Sequence, residues 1–157
     1  MSEIDPIDLR ILDALQENAR ISNVDLAEKV GLSPSPCLRR LKRLEQDGLI
    51  RGYMTLIDQN AVGLPVSVFV SVALKEQSEP VLEEFERRVR ALPQVMECYL
   101  MTGTSDYLLR VVTADLAAYE RFLKDHLTRI PAIGSIQSSF ALKQVSARTA
   151  LPLPGAG

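Results

Sequence analysis

The chain has 157 residues, a hydrophobic content of 46% and a formal net charge of −2. This length suffices for one ordinary domain or two small ones, and the near-neutral charge excludes strong attraction of the whole chain to nucleic acid. The two cysteines lie in separate predicted elements, and no apolar run reaches the ~18 residues of a membrane span. We therefore expect a cytoplasmic protein that needs no metal or other cofactor.

Residues 1–50 are predicted to form three helices. The first begins at or near Asp5, with Pro6 in its first turn, and ends near Asn18. The second runs from its cap Ser22 to about Val30. The apolar stripe of the first helix consists of Ile7, Ile11, Leu12 and Leu15. In this interpretation Asp8 faces away from the core.

The third helix spans Ser33–Gly48, with Ser33 as its N-cap, Pro34 in its first turn and Gly48 at its C-terminal end. Its apolar stripe consists of Cys37, Leu38, Leu41 and Leu44. Because only a short turn containing Gly31 separates it from the second helix, the pair has the form of a helix-turn-helix.

Four of the five residues 39–43 are basic, although residues 1–60 as a whole are not. Such a run is often only a solvated helix face. The preceding helix and tight turn, and the lack of acidic residues one turn before the run, favour double-stranded DNA as the partner. The candidates for base contact are Ser35, Pro36, Arg39 and Arg40. The candidates for phosphate contact are Lys42, Arg43 and Arg51, and Ser33 lies on the same predicted surface.

Residues 51–65 are predicted to form a β-ribbon, a candidate wing, followed by a turn-rich linker. Residues 66–148 then show the order strand, helix, strand, strand, helix, strand. The predicted strands are Val66–Leu74, Val95–Met101, Asp106–Thr113 and Ile136–Val145, and the predicted helices are Ser78–Ala91 and Asp115–Ile130. This order indicates a ferredoxin-like βαββαβ domain and an α+β protein, with a tail over residues 149–157. Because both helices would cover one face of the sheet, the other face favours pairing with a second copy.

The loop Thr102–Tyr107 combines a glycine with hydroxyl and carboxylate side chains. Such a loop could hold the ammonium and carboxylate groups of an amino acid. An ordinary β-hairpin connection accounts for the same residues, since Asp and Ser cap turns. The residues alone favour the hairpin.

Three segments together resemble the Lrp/AsnC, or feast/famine, family of transcription regulators. They are DPIDLRILDALQENARISNVDLAEKVGLSPSPCLRRLKRLEQDGLI, VMECYLMTGTSDYLLRV and IQSSFALKQV. The resemblance implies an N-terminal helix-turn-helix, a C-terminal ligand-binding domain, and homodimers that assemble into octamers or similar rings. It also implies an amino-acid effector bound between protomers. The implied effector-binding residues are Leu100, Met101, Thr102, Gly103, Asp106, Tyr107, Thr128, Ser138, Ser139 and Phe140.

Within that set, the resemblance implies that Asp106 binds the effector's ammonium group and that backbone groups around Gly103 bind its carboxylate. The C-terminal sequence SSFALKQVSARTALPLP is nearest to the subgroup of the activator of the branched-chain keto acid dehydrogenase operon. This similarity favours a branched-chain amino acid, with cysteine and proline as alternatives.

Two other classes of function compete with a DNA-binding regulator. An amino-acid-binding allosteric subunit of an enzyme could use a similar sheet, but it has no use for a helix-turn-helix. An enzyme is disfavoured because no nucleophilic triad, phosphate-binding glycine loop or metal cluster is recognisable.

Overall fold

The computed structural model describes residues 4–154, which form two compact units. One unit comprises the chain up to Leu56 together with the segment from Val145 onward, and the other comprises Ile57–Gln144. The helices are α1 (Pro6–Glu17), α2 (Asn23–Val30), α3 (Pro34–Gln46), α4 (Glu79–Arg90) and α5 (Leu116–Asp125). The strands are β1 (Val66–Leu74), β2 (Val95–Leu100), β3 (Tyr107–Thr113) and β4 (Ile133–Phe140). None of these helices has the length and apolar character that a membrane span requires.

In the first unit, α1, α2 and α3 pack around a small apolar core. Its buried members are Ile11, Ala14, Leu26, Ala27, Val30, Cys37 and Leu44. Cys37 is the buried apolar residue that the sequence predicts, and burial raises the pKa of its thiol. Leu38, which was expected in the stripe of α3, is exposed, because this short helix buries only a narrow strip.

In the second unit, the four strands form an antiparallel sheet in the order β2-β3-β1-β4. Val68, Val70 and Val72 alternate along β1 and are buried with side chains of α4 and α5. Both helices therefore lie on one face of the sheet. This arrangement confirms the predicted ferredoxin-like α+β fold.

The other face of the sheet is open to solvent in the single chain. It exposes Phe69 and Tyr99, whose partners in the strand register are Arg110 and Leu108. Arg110 forms an ion pair of 3.2 Å with Glu97 on the same face. The open face is thus a mixture of apolar and charged groups.

The predicted β-ribbon is absent from this chain. Residues 47–65, all of them described, contain turns and irregular backbone but no strand. Met54, Leu56 and Ile57 are exposed there. A ribbon needs a second strand to pair with, and none of the described segments pairs with this one. The turn-rich linker is present, since the Asp58 carboxylate accepts hydrogen bonds from the backbone N–H groups of Asn60 and Ala61.

Two C-terminal boundaries differ from the prediction. α5 ends at Asp125, because His126 leaves the helical conformation (φ −124°, ψ −70°), and a short 3-10 helix follows over Leu127–Arg129. β4 begins at Ile133 and ends at Phe140, whose partner is Val68 near the start of β1. β4 therefore ends near the first residue of β1, beyond which β1 has no residues left to pair with.

Two predicted serine caps make no side-chain hydrogen bond to their helices. Ser33 precedes α3, in which the third helical residue is Pro36 and has no N–H to donate. Ser78 precedes α4 and bonds instead through its carbonyl oxygen, which accepts from the N–H groups of Val81 and Leu82 at 3.0 Å each. In contrast, the Ser22 hydroxyl accepts from the N–H of Asp25 at 3.1 Å, as predicted.

The tail returns to the first unit. The Gln16 side chain on α1 donates to the Leu151 carbonyl at 3.1 Å and accepts from the Leu151 N–H at 2.7 Å. Leu151 belongs to the tail that the sequence analysis assigns to residues 149–157. Its last three residues lie outside the described part of the chain.

Candidate functional site

The turn between α2 and α3 is held by backbone bonds and by one side chain. Gly31 adopts a left-handed conformation (φ 75°), which costs a glycine little, and the Leu32 N–H donates to the Ala27 carbonyl at 2.8 Å. The Asn23 amide at the start of α2 donates to the Pro34 carbonyl at 2.8 Å. The two helices of the predicted helix-turn-helix are therefore fixed against each other at their N-terminal ends.

An open depression of about 710 Å³ lies along α3. It is lined by Leu32, Pro36, Arg39, Arg40, Lys42, Arg43 and Gln46. Arg39 and Lys42 are exposed, and no ion pair to either is formed by the residues that the structure describes. Ser35 is exposed near the start of the helix, where recognition helices contact base edges. These residues fit the predicted interface with DNA.

Arg40 and Arg43 are engaged within the protein. The Arg40 guanidinium donates to the carboxylates of Asp5 at 2.6 Å and Asp8 at 2.9 Å, and Arg43 donates to Asp8. Asp8 is fully buried (0% exposed), so the expectation that it faces away from the core was wrong. Its spacing of three residues from Ile11 was a signal in the sequence that it lies on the buried side of α1.

This pairing revises the roles predicted for the two arginines. The hydrogen bonds that Arg40 donates to Asp5 and Asp8 raise the pKa of Arg40. The pKa of Asp5 is lowered, first by the hydrogen bond from the Asp8 N–H and then by the bond from Arg40. Both bonds of Arg40 come from its Nη1 group, so its charge is paired and its side chain is directed toward Asp5 and Asp8, while its Nε and Nη2 donors form neither bond. Arg39 and Lys42 thus remain the cations of α3 that are available to DNA, and Arg51 is a further exposed candidate beyond the helix.

The candidate effector loop lies between β2 and β3. Leu100, Met101, Thr102 and Gly103 are exposed, and Gly103 has a φ of 116°, a conformation that strongly favours glycine. The loop is closed by the Met101 N–H, which donates to the Asp106 carbonyl at 2.8 Å. The hairpin connection that the residues favour is therefore present, with exposed polar groups at its tip.

Asp106 has a structural role in the single chain. Its carboxylate accepts from the Leu74 N–H at 2.6 Å and from the Gln77 side-chain amide at 2.7 Å. Its own N–H donates to the Val72 carbonyl at 2.9 Å. Each carboxylate oxygen accepts one hydrogen bond and keeps a further acceptor position, so Asp106 stabilises the hairpin and its role as ammonium partner stays a prediction.

Tyr107 was assigned to the effector, but its side chain points into the core. It is 1% exposed, packs against Phe85 with the rings tilted and their centroids 4.5 Å apart, and donates its hydroxyl to Glu86 at 2.9 Å. Burial and the bond to Glu86 raise its pKa. The alternation of side chains along β3 puts Tyr107 on the helix side of the sheet, so only its backbone is near the loop.

The remaining candidates do not meet the loop within one chain. Ser138 and Phe140 contact Tyr119 on the helix side of β4, by a hydrogen bond and by an edge-to-face ring contact, whereas Ser139 is exposed. β2 and β4 are opposite edges of the sheet, about three strand spacings or roughly 14 Å apart. Thr128 bonds to carbonyl groups at the end of α5. The predicted effector residues are therefore divided over two edges of a single protomer.

Comparison with known proteins covers both units. The family model described as a winged helix-turn-helix DNA-binding domain matches residues 4–51, and the model described as an Lrp/AsnC ligand-binding domain matches residues 67–151. The resemblance seen in the sequence is thereby confirmed in both regions.

Individual relatives agree with these matches. The Bkd operon transcriptional regulator of Pseudomonas aeruginosa is 52% identical over 153 residues, which cover 98% of this chain and 100% of the relative. The leucine-responsive regulatory protein of Haemophilus influenzae is 42% identical over 142 residues, covering 90% of this chain and 86% of that protein. A transcriptional regulator of Neisseria meningitidis, solved as a complex with L-methionine, superposes with a TM-score of 0.90 at 41% identity, covering 96% of this chain and 97% of that one.

The contrast between Arg39 and Arg40 gives a first prediction. Arg39→Ala weakens binding to a specific duplex by about 1–3 kcal/mol and leaves the free energy of unfolding within about 0.5 kcal/mol, because Arg39 is exposed and unpaired in the described chain. Arg40→Ala lowers the free energy of unfolding by about 1–2 kcal/mol, since it removes one partner of buried Asp8 from a partly exposed pair. Urea unfolding followed by circular dichroism, together with fluorescence anisotropy, measures both. Equal stability losses in the two variants would contradict the assignment.

Asp106 gives a second prediction. Asp106→Ala lowers the free energy of unfolding by about 1–3 kcal/mol, because the Leu74 N–H and the Gln77 amide lose their acceptor. Thr104→Ala, an exposed change in the same loop, is the control and leaves stability unchanged. Urea unfolding compares the two variants. Wild-type stability in Asp106→Ala, combined with a lost amino-acid response, would instead support the role as ammonium partner.

Proposed function

The chain belongs to the Lrp/AsnC family of DNA-binding transcriptional regulators, and from this premise we propose that it controls genes of branched-chain amino-acid catabolism in response to a small amino acid. The observation that carries the target is the 52% identity, over nearly the whole chain, to the Bkd operon regulator. Because its target is genomic DNA, we infer that it acts in the cytoplasm.

We assign operator recognition to the N-terminal half and the outer side of α3. Ser35, Pro36 and Arg39 lie where a recognition helix contacts base edges, while Lys42 and Arg51 serve phosphate groups. Ser33 precedes the helix and makes no cap bond with its side chain, so its hydroxyl is available to DNA. With few free cations on each copy, specific affinity depends on several copies binding together.

We propose that the functional unit is a homodimer that assembles into an octamer or similar ring. The open face of the sheet supports the dimer, because Phe69 (40% exposed) and Tyr99 (52% exposed) are large side chains left in solvent by the single chain. The division of the effector residues between two edges of the sheet supports an effector site shared by protomers. An effector that bridges copies would bias assembly, and through assembly DNA binding.

A branched-chain amino acid is the proposed effector, through the subgroup to which the chain is most similar. The solved complex of the Neisseria relative with L-methionine makes methionine a second candidate, and cysteine and proline remain the alternatives from sequence. In this proposal the exposed backbone around Gly103 binds the effector's carboxylate. The rival assignment to an allosteric subunit of an enzyme leaves the helix-turn-helix unit without a role.

Titration with amino acids tests the effector proposal. A saturating branched-chain amino acid raises the melting temperature, since a ligand at 100 times its Kd stabilises the folded protein by about 2.7 kcal/mol. Gly103→Ala weakens the apparent affinity by about tenfold or more, because a side chain strains the backbone at φ 116°.

Gly63→Ala is the matched control, since Gly63 also has a positive φ (78°) and open space around it but lies in the linker. It is expected to lower the melting temperature without changing the affinity for the effector. Differential scanning fluorimetry with leucine, isoleucine, valine, methionine, cysteine and proline gives both quantities. A response only to one of the last three would contradict the branched-chain assignment, and no response to any of the six would contradict the effector proposal.

A further inference from the structure

A buried carboxylate lies beneath the recognition helix. Asp8, in the first turn of α1, is 0% exposed and accepts three hydrogen bonds. The donors are the Asp5 N–H at 3.2 Å, the Arg40 guanidinium at 2.9 Å and the Arg43 guanidinium. An ionised carboxylate without water is stable only when it is paired in this way, so α3 cannot turn away from α1 without leaving a buried charge unpaired.

The cluster of Asp5, Asp8, Arg40 and Arg43 is neutral as a whole. Two carboxylates match two guanidinium groups, and Asp5 also accepts from Arg40 at 2.6 Å. Each arginine charge is therefore compensated inside the protein. The positive charge that α3 presents to solvent is then carried by Arg39 and Lys42.

The helical repeat connects the two pairs of basic residues. Arg40 and Arg43 are three residues apart and form one row on the side of α3 that faces α1. Arg39 and Lys42 form a second row with the same spacing, rotated by about 100° around the helix axis. Because both rows belong to one rigid helix, holding the first row fixes the direction in which the second row points.

We propose that Asp8 is the positioning residue of the recognition helix. Through Arg40 and Arg43 it sets the rotation of α3 about its axis, so that Arg39 and Lys42 face the DNA. Arg40 and Arg43 remain on the carboxylates in the complex and do not contact bases. This inference rests on the proposed recognition of DNA by α3, and it adds the residue that determines how specific that recognition is.

The probe for the test is a duplex that the wild-type full-length chain selects from a random-sequence DNA library, compared with a scrambled duplex of equal length. Asp8→Asn keeps the shape of the side chain and removes its charge. We expect the ratio of the two affinities to fall about tenfold or more, because α3 is no longer held in one rotation. We also expect the affinity for DNA to fall more steeply with salt concentration. The increase in slope corresponds to about one or two additional phosphate contacts, because the released arginines reach the DNA backbone.

Asp5→Asn is the matched control. Asn is as good a helix cap as Asp, so this change removes only the outer carboxylate from Arg40. We expect the affinity ratio to fall less than in Asp8→Asn. The double variant Asp8→Asn with Arg43→Gln pairs two neutral amides in place of two charges. We expect this double variant to recover a large part of the affinity ratio that is lost in Arg43→Gln alone. No such recovery is expected if Arg43→Gln loses affinity because a contact between Arg43 and DNA is missing.

Arg43→Lys keeps the charge of the cluster but replaces the forked donor with a single ammonium group, so it tests the positioning even if Asp8→Asn does not fold. We expect it to lower the affinity ratio by about threefold or more. A folded Asp8→Asn or Arg43→Lys that keeps the wild-type ratio would overturn the positioning role. A wild-type chain that selects no duplex would instead contradict the proposed DNA-binding function itself.

Discussion

The bonds between Asp8 and the arginines of α3 constrain the whole N-terminal unit. Among the described residues, the three helices share a core of seven buried apolar side chains with partly buried ones packed against it, a small amount of packing for fixing the angle of a helix. A buried carboxylate adds what apolar packing lacks, because hydrogen bonds to a charge have direction and are costly to break. The hydrogen bond from the Asn23 side-chain amide to the Pro34 carbonyl fixes the N-terminal end of the same helix. α3 is thus held by polar contacts from both α1 and α2, and in our proposal its recognition of DNA depends on them.

In the second unit, by contrast, the candidate effector site is incomplete in one protomer. The groups that turn inward, such as Tyr107 and the Asp106 carboxylate, are bonded within the chain and stabilise the hairpin. The candidates that remain exposed are the tip of the loop around Gly103, Ser139 and Phe140 on the far edge of the sheet, and Thr128 after α5. A ligand that needs both the loop and the far edge can bind only where two copies meet. In our proposal this incompleteness is the physical reason that an effector is coupled to assembly, and the proposed assembly brings several copies of α3 to one DNA.

Much of the fold could be predicted from the sequence, because caps, prolines and apolar periodicity are local signals. Asp115 caps α5 as expected, with its carboxylate accepting from the Ala118 N–H at 2.6 Å, and β1 has the predicted bounds. The β-ribbon was predicted wrongly because alternation indicates a strand without supplying a partner for it. The roles of Arg40 and Arg43 could not be predicted, since their partner Asp8 lies more than thirty residues earlier in the chain. The burial of the Tyr107 side chain was not predicted, because the residues of a motif share a loop without sharing a face of the sheet.

A structure of the full-length chain bound to its selected duplex tests the central claim most directly. The distances to measure join Asp8 to Arg40 and Arg43, and join Arg39 and Lys42 to the DNA. Our account predicts that both arginines are still bonded to Asp8, while Arg39 contacts a base edge and Lys42 a phosphate. A complex in which Arg40 or Arg43 has left Asp8 and donates to a base would contradict it.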